Sequence, residues 1–219
     1  MRNVLLAFGL LVFSTVFTVA QTTVVDDYKQ GEFYIGYSNG QVDTGLDSGS
    51  TVGSFFRDRV NFHGVNVSGV GNVNRFLGIK GDVSVTTNST AFSETFTNPT
   101  TGARTTASFD TRNTLINLVG GLQVKDNSLE GRVKPFGHAM IGLGHARTRV
   151  NDVVCTPAAN CPITAESFTT NGFSGVFGGG LDFRVGDRVQ IRAIQIDYNP
   201  IRFSGQTDHN LRLGAGIVF

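Results

Sequence analysis

The last ten residues of the chain, Asn210–Phe219, constrain its fold more than any other stretch. Leu211, Leu213, Ala215, Ile217 and Phe219 alternate with Asn210, Arg212, Gly214, Gly216 and Val218. A period of two places successive side chains on opposite faces, so this is a strand with one apolar face and one small or polar face. An apolar strand face must be covered, either by a second layer of protein or by lipid. The rest of the chain decides which.

At the other end, Met1–Asn3 carries one positive charge and Val4–Val19 is apolar apart from Ser14, Thr15 and Thr18. Thr18-Val19-Ala20 then supplies small residues before Gln21. This is the pattern of a secretory signal peptide, residues 1–20, removed in export. The remaining residues, 21–219, read as one domain without linker or repeat. No later segment is long and apolar enough for a membrane helix. A bilayer could then be crossed only by a closed barrel, in which every backbone amide is paired. Without residues 1–20, and so without Arg2, 17 basic residues stand against 17 acidic ones, and this zero formal charge argues against nucleic acid as a partner. Gly at 28 and Phe at 18, with no Trp, suit a barrel wall better than an enzyme core. In an exported chain, Cys155 and Cys161 in C-T-P-A-A-N-C read as one disulfide closing a small external loop. With no His between them and no second Cys pair, they do not read as a metal site, and no cofactor is expected.

Alternation recurs along the chain. Strands are expected at 31–38, 60–70, 75–86, 111–125, 133–147, 171–185, 189–198 and 210–219. The third and fourth continue beyond the membrane into a hairpin closed by Asn98-Pro99-Thr100-Thr101-Gly102. Connections after the first, third and fifth strands are long. A loop is expected from Thr148 to Thr170, and a shorter one from Asn199 to Asp208. Connections after the second, fourth and sixth are short. Short turns at one end and long loops at the other are the phase of an even-stranded transmembrane barrel with both termini in the periplasm.

Three stretches carry a family resemblance: V-K-P-F-G-H-A-M-I-G-L-G at Val133–Gly144, F-G-G-G-L-D-F-R-V at Phe177–Val185, and the Asn210–Phe219 tail. Together with Arg192, Gln195, Asp197 and Tyr198 they resemble the small outer-membrane β-barrels related to the membrane domain of outer-membrane protein A. The resemblance implies an all-β, eight-stranded, antiparallel up-and-down barrel in the bacterial outer membrane. It implies lipid as surroundings, a monomeric state, and the barrel-assembly machinery as a partner during insertion. Leu213, Ala215, Ile217 and Phe219 would form the insertion signal. No peptidoglycan-binding domain is expected after Phe219. Such barrels serve as anchors, adhesins, ligand binders or passive envelope components, and fold alone does not choose among them. The expected role is non-enzymatic, structural or surface-binding, through the external loops, with an unknown extracellular ligand.

Two other readings stand beside it. A soluble exported lipocalin-like barrel would turn the same apolar faces inward around a greasy ligand. A narrow gated pore would leave the lumen open, although eight strands enclose a space that side chains fill. Catalysis would need a base and its orienter, and His145 with Asp152, or His63 with Ser54 and Asp58, are the candidates, none with diagnostic spacing. The glycines Gly178-Gly179-Gly180 lack the strand-turn-helix context of phosphate binding.

The expected interior follows from register. A three-residue turn, Gly186-Asp187-Arg188, sets Phe183 opposite Ile191 on the lipid side and Asp182 opposite Arg192 within. It also pairs Leu181 with Ala193 and Arg184 with Gln190. A bulge near Ala193 then returns Gln195 and Asp197 to the inside. Lys80, Asp82, Asp182, Arg184, Arg192, Asp197 and Arg212 are thereby expected to form a lumen network.

Overall fold

The computed structural model describes residues 28–43, 59–157, 161 and 163–219. The expected signal peptide, residues 1–20, lies outside them. The described strands are β1 (Gly31–Asp43), β2 (Arg59–Asn72), β3 (Leu77–Thr97), β4 (Arg104–Lys125), β5 (Val133–Thr156), β6 (Ser167–Arg184), β7 (Gln190–Phe203) and β8 (Gln206–Val218). Each pairs antiparallel with its sequence neighbours and β1 closes on β8, from Tyr34↔Val218 to Gln41↔Leu211. Closure leaves no edge along the paired segment, which is the condition for a sheet to sit in hydrocarbon.

The burial pattern is that of an inverted protein. Ile79 on β3 is 61% exposed while its neighbour Lys80 is 1% exposed, and Ile191 is 47% exposed beside Arg192 at 1%. Phe33, Ile35, Leu118, Leu122, Ile141, Leu143, Phe173 and Phe177 all face outward. Apolar residues outside and charged residues within exclude the lipocalin-like arrangement, in which the faces would be reversed. The tail residues Leu213, Ala215, Ile217 and Phe219 belong to the outward face.

Several strands run further than their hydrophobic pattern. β5 continues to Thr156, with Arg149 still paired to Ser167 at the start of β6, so much of the expected Thr148–Thr170 loop is sheet. The expected loop from Asn199 to Asp208 is sheet as well. β7 and β8 pair up to Phe203↔Gln206 and meet at the turn residues Ser204 and Gly205. Both have positive φ, 44° and 95°. Two central residues of that kind make a turn whose twist matches the flanking strands, and Gly205 adopts it without steric cost. Pro200 does not end the strand. It lies where the β6–β7 ladder skips between Ser174↔Ile201 and Phe177↔Tyr198, a place where a missing N–H is tolerated.

Cys155, near the end of β5 and opposite Ala107, is disulfide-bonded to Cys161. The cysteine therefore begins in a strand and not within a loop. With a sequence separation of 6, closing the loop stabilises the fold by at most about 2–3 kcal/mol. A membrane-impermeant thiol reagent should label intact cells only after reduction, and labelling without reductant would refute an extracellular bond.

Candidate functional site

The inward positions of the strands build one connected polar network. At the periplasmic end, Lys125 Nζ donates to Glu32 Oε1 (2.7 Å), Asp182 Oδ2 (2.7 Å) and Gln190 Oε1 (2.9 Å). Gln123 donates to the other oxygen of Glu32 at 3.4 Å. Asp182 also receives a two-pronged bond from Arg192, Nε at 2.8 Å and Nη2 at 3.0 Å, the strong geometry for a guanidinium and a carboxylate. The Arg192 guanidinium lies between the rings of Tyr34 (4.3 Å) and Phe136 (4.0 Å). Its Nη1 donates to Gln195 at 2.8 Å, and Gln195 in turn donates to Asp197 Oδ2 at 2.7 Å.

From there the network circles the lumen. Arg212 donates to Asp197 (2.8 Å) and to Asp82 (2.8 Å), and Asn66 donates to Asp82 at 2.8 Å. His138 joins Asp197 Oδ1 through Nε2 at 2.9 Å and lies 3.3 Å from Lys80 Nζ through Nδ1. An ammonium can only donate, so Nδ1 is the acceptor and Nε2 carries the proton given to Asp197; the tautomer is assigned from its partners. The buried carboxylates Glu32, Asp82, Asp182 and Asp197 are matched by Lys80, Lys125, Arg192 and Arg212, so this set is neutral with His138 uncharged. Buried charges persist only when paired in this way.

Both ends of the lumen are covered. Towards the cell exterior, Ser174 Oγ donates to Asn117 Oδ1 and accepts from Asn199 Nδ2, and Phe62, Leu115 and Ile201 pack together with Val42, Val60, Ala146 and Phe203. Towards the periplasm, the residues before β1 cross the mouth. Lys29 N–H donates to Asn127 O (3.0 Å), Tyr28 Oη to Val73 O (3.3 Å), and Asn72 Nδ2 to Lys29 O (2.7 Å). Lys134 Nζ ties the β4–β5 turn down through the carbonyls of Asp126 (2.9 Å) and Ser128 (2.6 Å). In that turn, hydrogen bonds from Arg75 and from the Ser128 backbone hold the Asp126 carboxyl well below the usual range. Its ion pair with Arg75 is about half exposed and adds little to stability.

The observed register pairs Asp182 with Arg192, Phe183 with Ile191 and Arg184 with Gln190. Leu181 pairs with Ile194 and not with Ala193, because Ala193 is the extra residue of the bulge. Of the seven residues expected in the lumen, Lys80, Asp82, Asp182, Arg192, Asp197 and Arg212 lie inside. Arg184 does not. It turns to the periplasmic rim, where it donates to Leu129 O, Gly186 O and Asp187. Glu32, Lys125 and His138 are network members that sequence reasoning passed over.

The His145–Asp152 grouping does not assemble, and the His63 grouping lies partly outside the described residues. His145 Nδ1 is 2.7 Å from Asn171 Oδ1 on the outer face, and no contact joins it to Asp152. His63 faces outward and bonds the Tyr37 hydroxyl; Ser54 and Asp58 lie outside the described residues. The Gly178-Gly179-Gly180 run serves packing. A methyl at Gly178 would fall on the Ile196 carbonyl oxygen and the Asp197 side chain, and one at Gly180 on the Ile194 carbonyl. Gly178→Ala should lower stability by about 1–3 kcal/mol through overpacking, read as an earlier urea midpoint; an unchanged midpoint would show that β6 and β7 can separate freely.

The family model of the outer membrane protein β-barrel domain matches residues 8–219. The chain belongs to this outer-membrane β-barrel family. It is accordingly a protein of the bacterial outer membrane, with lipid around its apolar wall. No curated protein matches the chain. Among solved structures it is similar to Ail of Yersinia pestis in complex with the heparin analogue sucrose octasulfate, with 18% identity over 87% of this chain and 100% of that one and a TM-score of 0.50. It is also similar to Neisserial surface protein A, with 13% identity, 87% and 96% coverage and a TM-score of 0.47. OprG of Pseudomonas aeruginosa gives 12% identity, 88% and 96% coverage and 0.41. At these identities the likeness speaks of fold. In this outer-membrane barrel the lumen network stands where larger barrels of the same construction hold water.

Proposed function

We propose that this outer-membrane barrel is a closed, non-catalytic monomer that acts through its extracellular face, with the lumen network as filling and not as a passage or reaction site. The observation that carries this reading is the neutral, hydrogen-bonded network among the described residues, with side chains packed across both ends of the lumen. Contact with the outside then falls to the sheet that projects beyond the lumen. There the exposed residues 89–97 of β3 pair with Arg104–Arg112 of β4, and β5 continues beside them to the disulfide. Phe92 and Phe109 stack on this projection at 5.5 Å. In the same reading, segment 1–20 directs export, and the assembly machinery takes hold of the Leu213, Ala215, Ile217 and Phe219 face.

The test is conductance across planar bilayers by the folded full-length barrel, with the mobility shift on boiling as the check of folding. No steady current should be seen. A steady single-channel current would reject the closed-lumen reading and restore the gated pore.

A further inference from the structure

Beyond that reading, the outer wall has a charged region that none of the above uses. Ladder partners across β3–β6 define rows on the lipid side of the wall. Within the apolar band, one row reads Val83, Leu118, Leu143, Phe173. Two rows nearer the exterior, Thr114 stands opposite Arg147. In the next row Arg112 and Arg149 are direct partners, flanked by Ser89 and Ser167. Arg112, Arg147 and Arg149 are all exposed.

Like charges directly opposite each other destabilise a sheet unless something neutralises them. Nothing in the described protein does so, since none of the three arginines forms an ion pair with a described carboxylate. The nearby acids are Asp110, one outward step further along β4, Asp152, three residues beyond Arg149 on β5, and Glu166, whose carboxylate accepts from Thr164. His145 and Asn171, paired just beneath Arg147, add polar groups at the boundary with the apolar band.

We propose that this patch, centred on Arg112, Arg147 and Arg149, binds the phosphorylated headgroup of an outer-leaflet lipid. Three guanidinium forks with flanking hydroxyls match the non-bridging oxygens of a phosphate monoester, which a guanidinium grips with two parallel bonds. The source is lipid because the patch continues into Leu118, Leu143 and Phe173 on the same face. A headgroup on the arginines thus places its acyl chains against those side chains. A free anion would use only the upper half of this surface.

The folded full-length barrel in neutral detergent is incubated with bisphosphorylated lipid A, with the same lipid after enzymatic dephosphorylation, or with inorganic phosphate, and retained ligand is counted by native mass spectrometry. The bisphosphorylated lipid should be retained and the dephosphorylated one lost. Retention should fall with added salt, and an equal concentration of inorganic phosphate should not displace the lipid. The triple variant R112Q/R147Q/R149Q should bind about tenfold or more weakly, while Arg188→Gln on the periplasmic turn should change nothing. If the triple variant fails to show the heat-dependent mobility shift, Arg147→Gln alone gives the same comparison with a smaller loss. Equal retention of both lipid forms, unchanged binding by folded variants, or displacement by inorganic phosphate would each overturn the proposal.

Discussion

Asp182→Ala should be among the most damaging single substitutions in this barrel, lowering stability by about 3–5 kcal/mol. Asp182 is fully buried and is the anion on which two cations converge, Arg192 through Nε and Nη2 and Lys125 through Nζ. Truncation leaves both cations in place. Lys125 keeps Glu32 and Gln190, and Arg192 keeps Gln195 and its two rings, but the local balance changes from neutral to positive in a space too small for bulk water. Asp182→Asn retains the volume and one acceptor and should cost less. Because the chain has no Trp, intrinsic Trp fluorescence cannot follow unfolding. The natural readout is the loss of the fast-migrating folded band in unheated gels across a urea series in lipid vesicles. A shift worth less than about 1 kcal/mol would mean that water already solvates these charges, as it does for exposed pairs.

How much of this was legible beforehand depends on which physical rule governs each residue. Asp182 and Arg192 could be matched because the pleat has period two and one turn length fixes every facing beyond it. The bulge at Ala193 was legible for the same reason, since Ile194 and Ile196 demand lipid while Gln195 and Asp197 demand the opposite face. Depth was not legible. Arg184 lies on the correct face but two residues further towards the periplasm than Asp182, where the lumen has already ended. Glu32 and Lys125 lie in inward phase near their strand ends and would have been taken for solvated rim charges. They are buried because residues 28–30 and the turn 126–132 fold across the mouth, contacts between segments about a hundred residues apart in sequence.

The outer ends of the strands were missed for a different reason. Beyond the membrane neither face of a strand meets lipid, so the apolar alternation that marks a crossing strand has no cause to persist. The stretch Thr148–Thr156 carries arginine, asparagine and aspartate in no clear period, yet it remains paired to β4 through a ladder that the backbone can form whatever the side chains. The turn at Ser204 and Gly205 had a recognisable two-residue signal, obscured by Pro200, which reads as a breaker when strand pairing on both sides is assumed.

Arg212→Met should have an effect comparable to Asp182→Ala and a different pattern of rescue. Arg212 bridges two carboxylates, Asp82 at 2.8 Å and Asp197 at 2.8 Å, and it comes from β8, the strand that closes the barrel on β1. Methionine fills similar volume but has no donor, so two buried carboxylates are left facing each other with only Asn66, Gln195 and His138 as partners. The expected loss is about 3–5 kcal/mol, most of it the cost of charge left unpaired and not the worth of the original bonds. The double change Arg212→Met, Asp82→Asn removes one anion together with the cation, so the set stays neutral, with Glu32, Asp182 and Asp197 against Lys80, Lys125 and Arg192. It should recover more than half of the loss, because a neutral group of the same shape can replace a buried ion pair at little cost. The measurement is the same urea series on unheated gels, with the single and double variants side by side. If the double variant is as unstable as Arg212→Met, the bridge acts by holding β8 in register and not by balancing charge. If Arg212→Met itself is stable, the network is dispensable and the apolar cap of Phe62, Leu115 and Ile201 is what keeps the lumen closed.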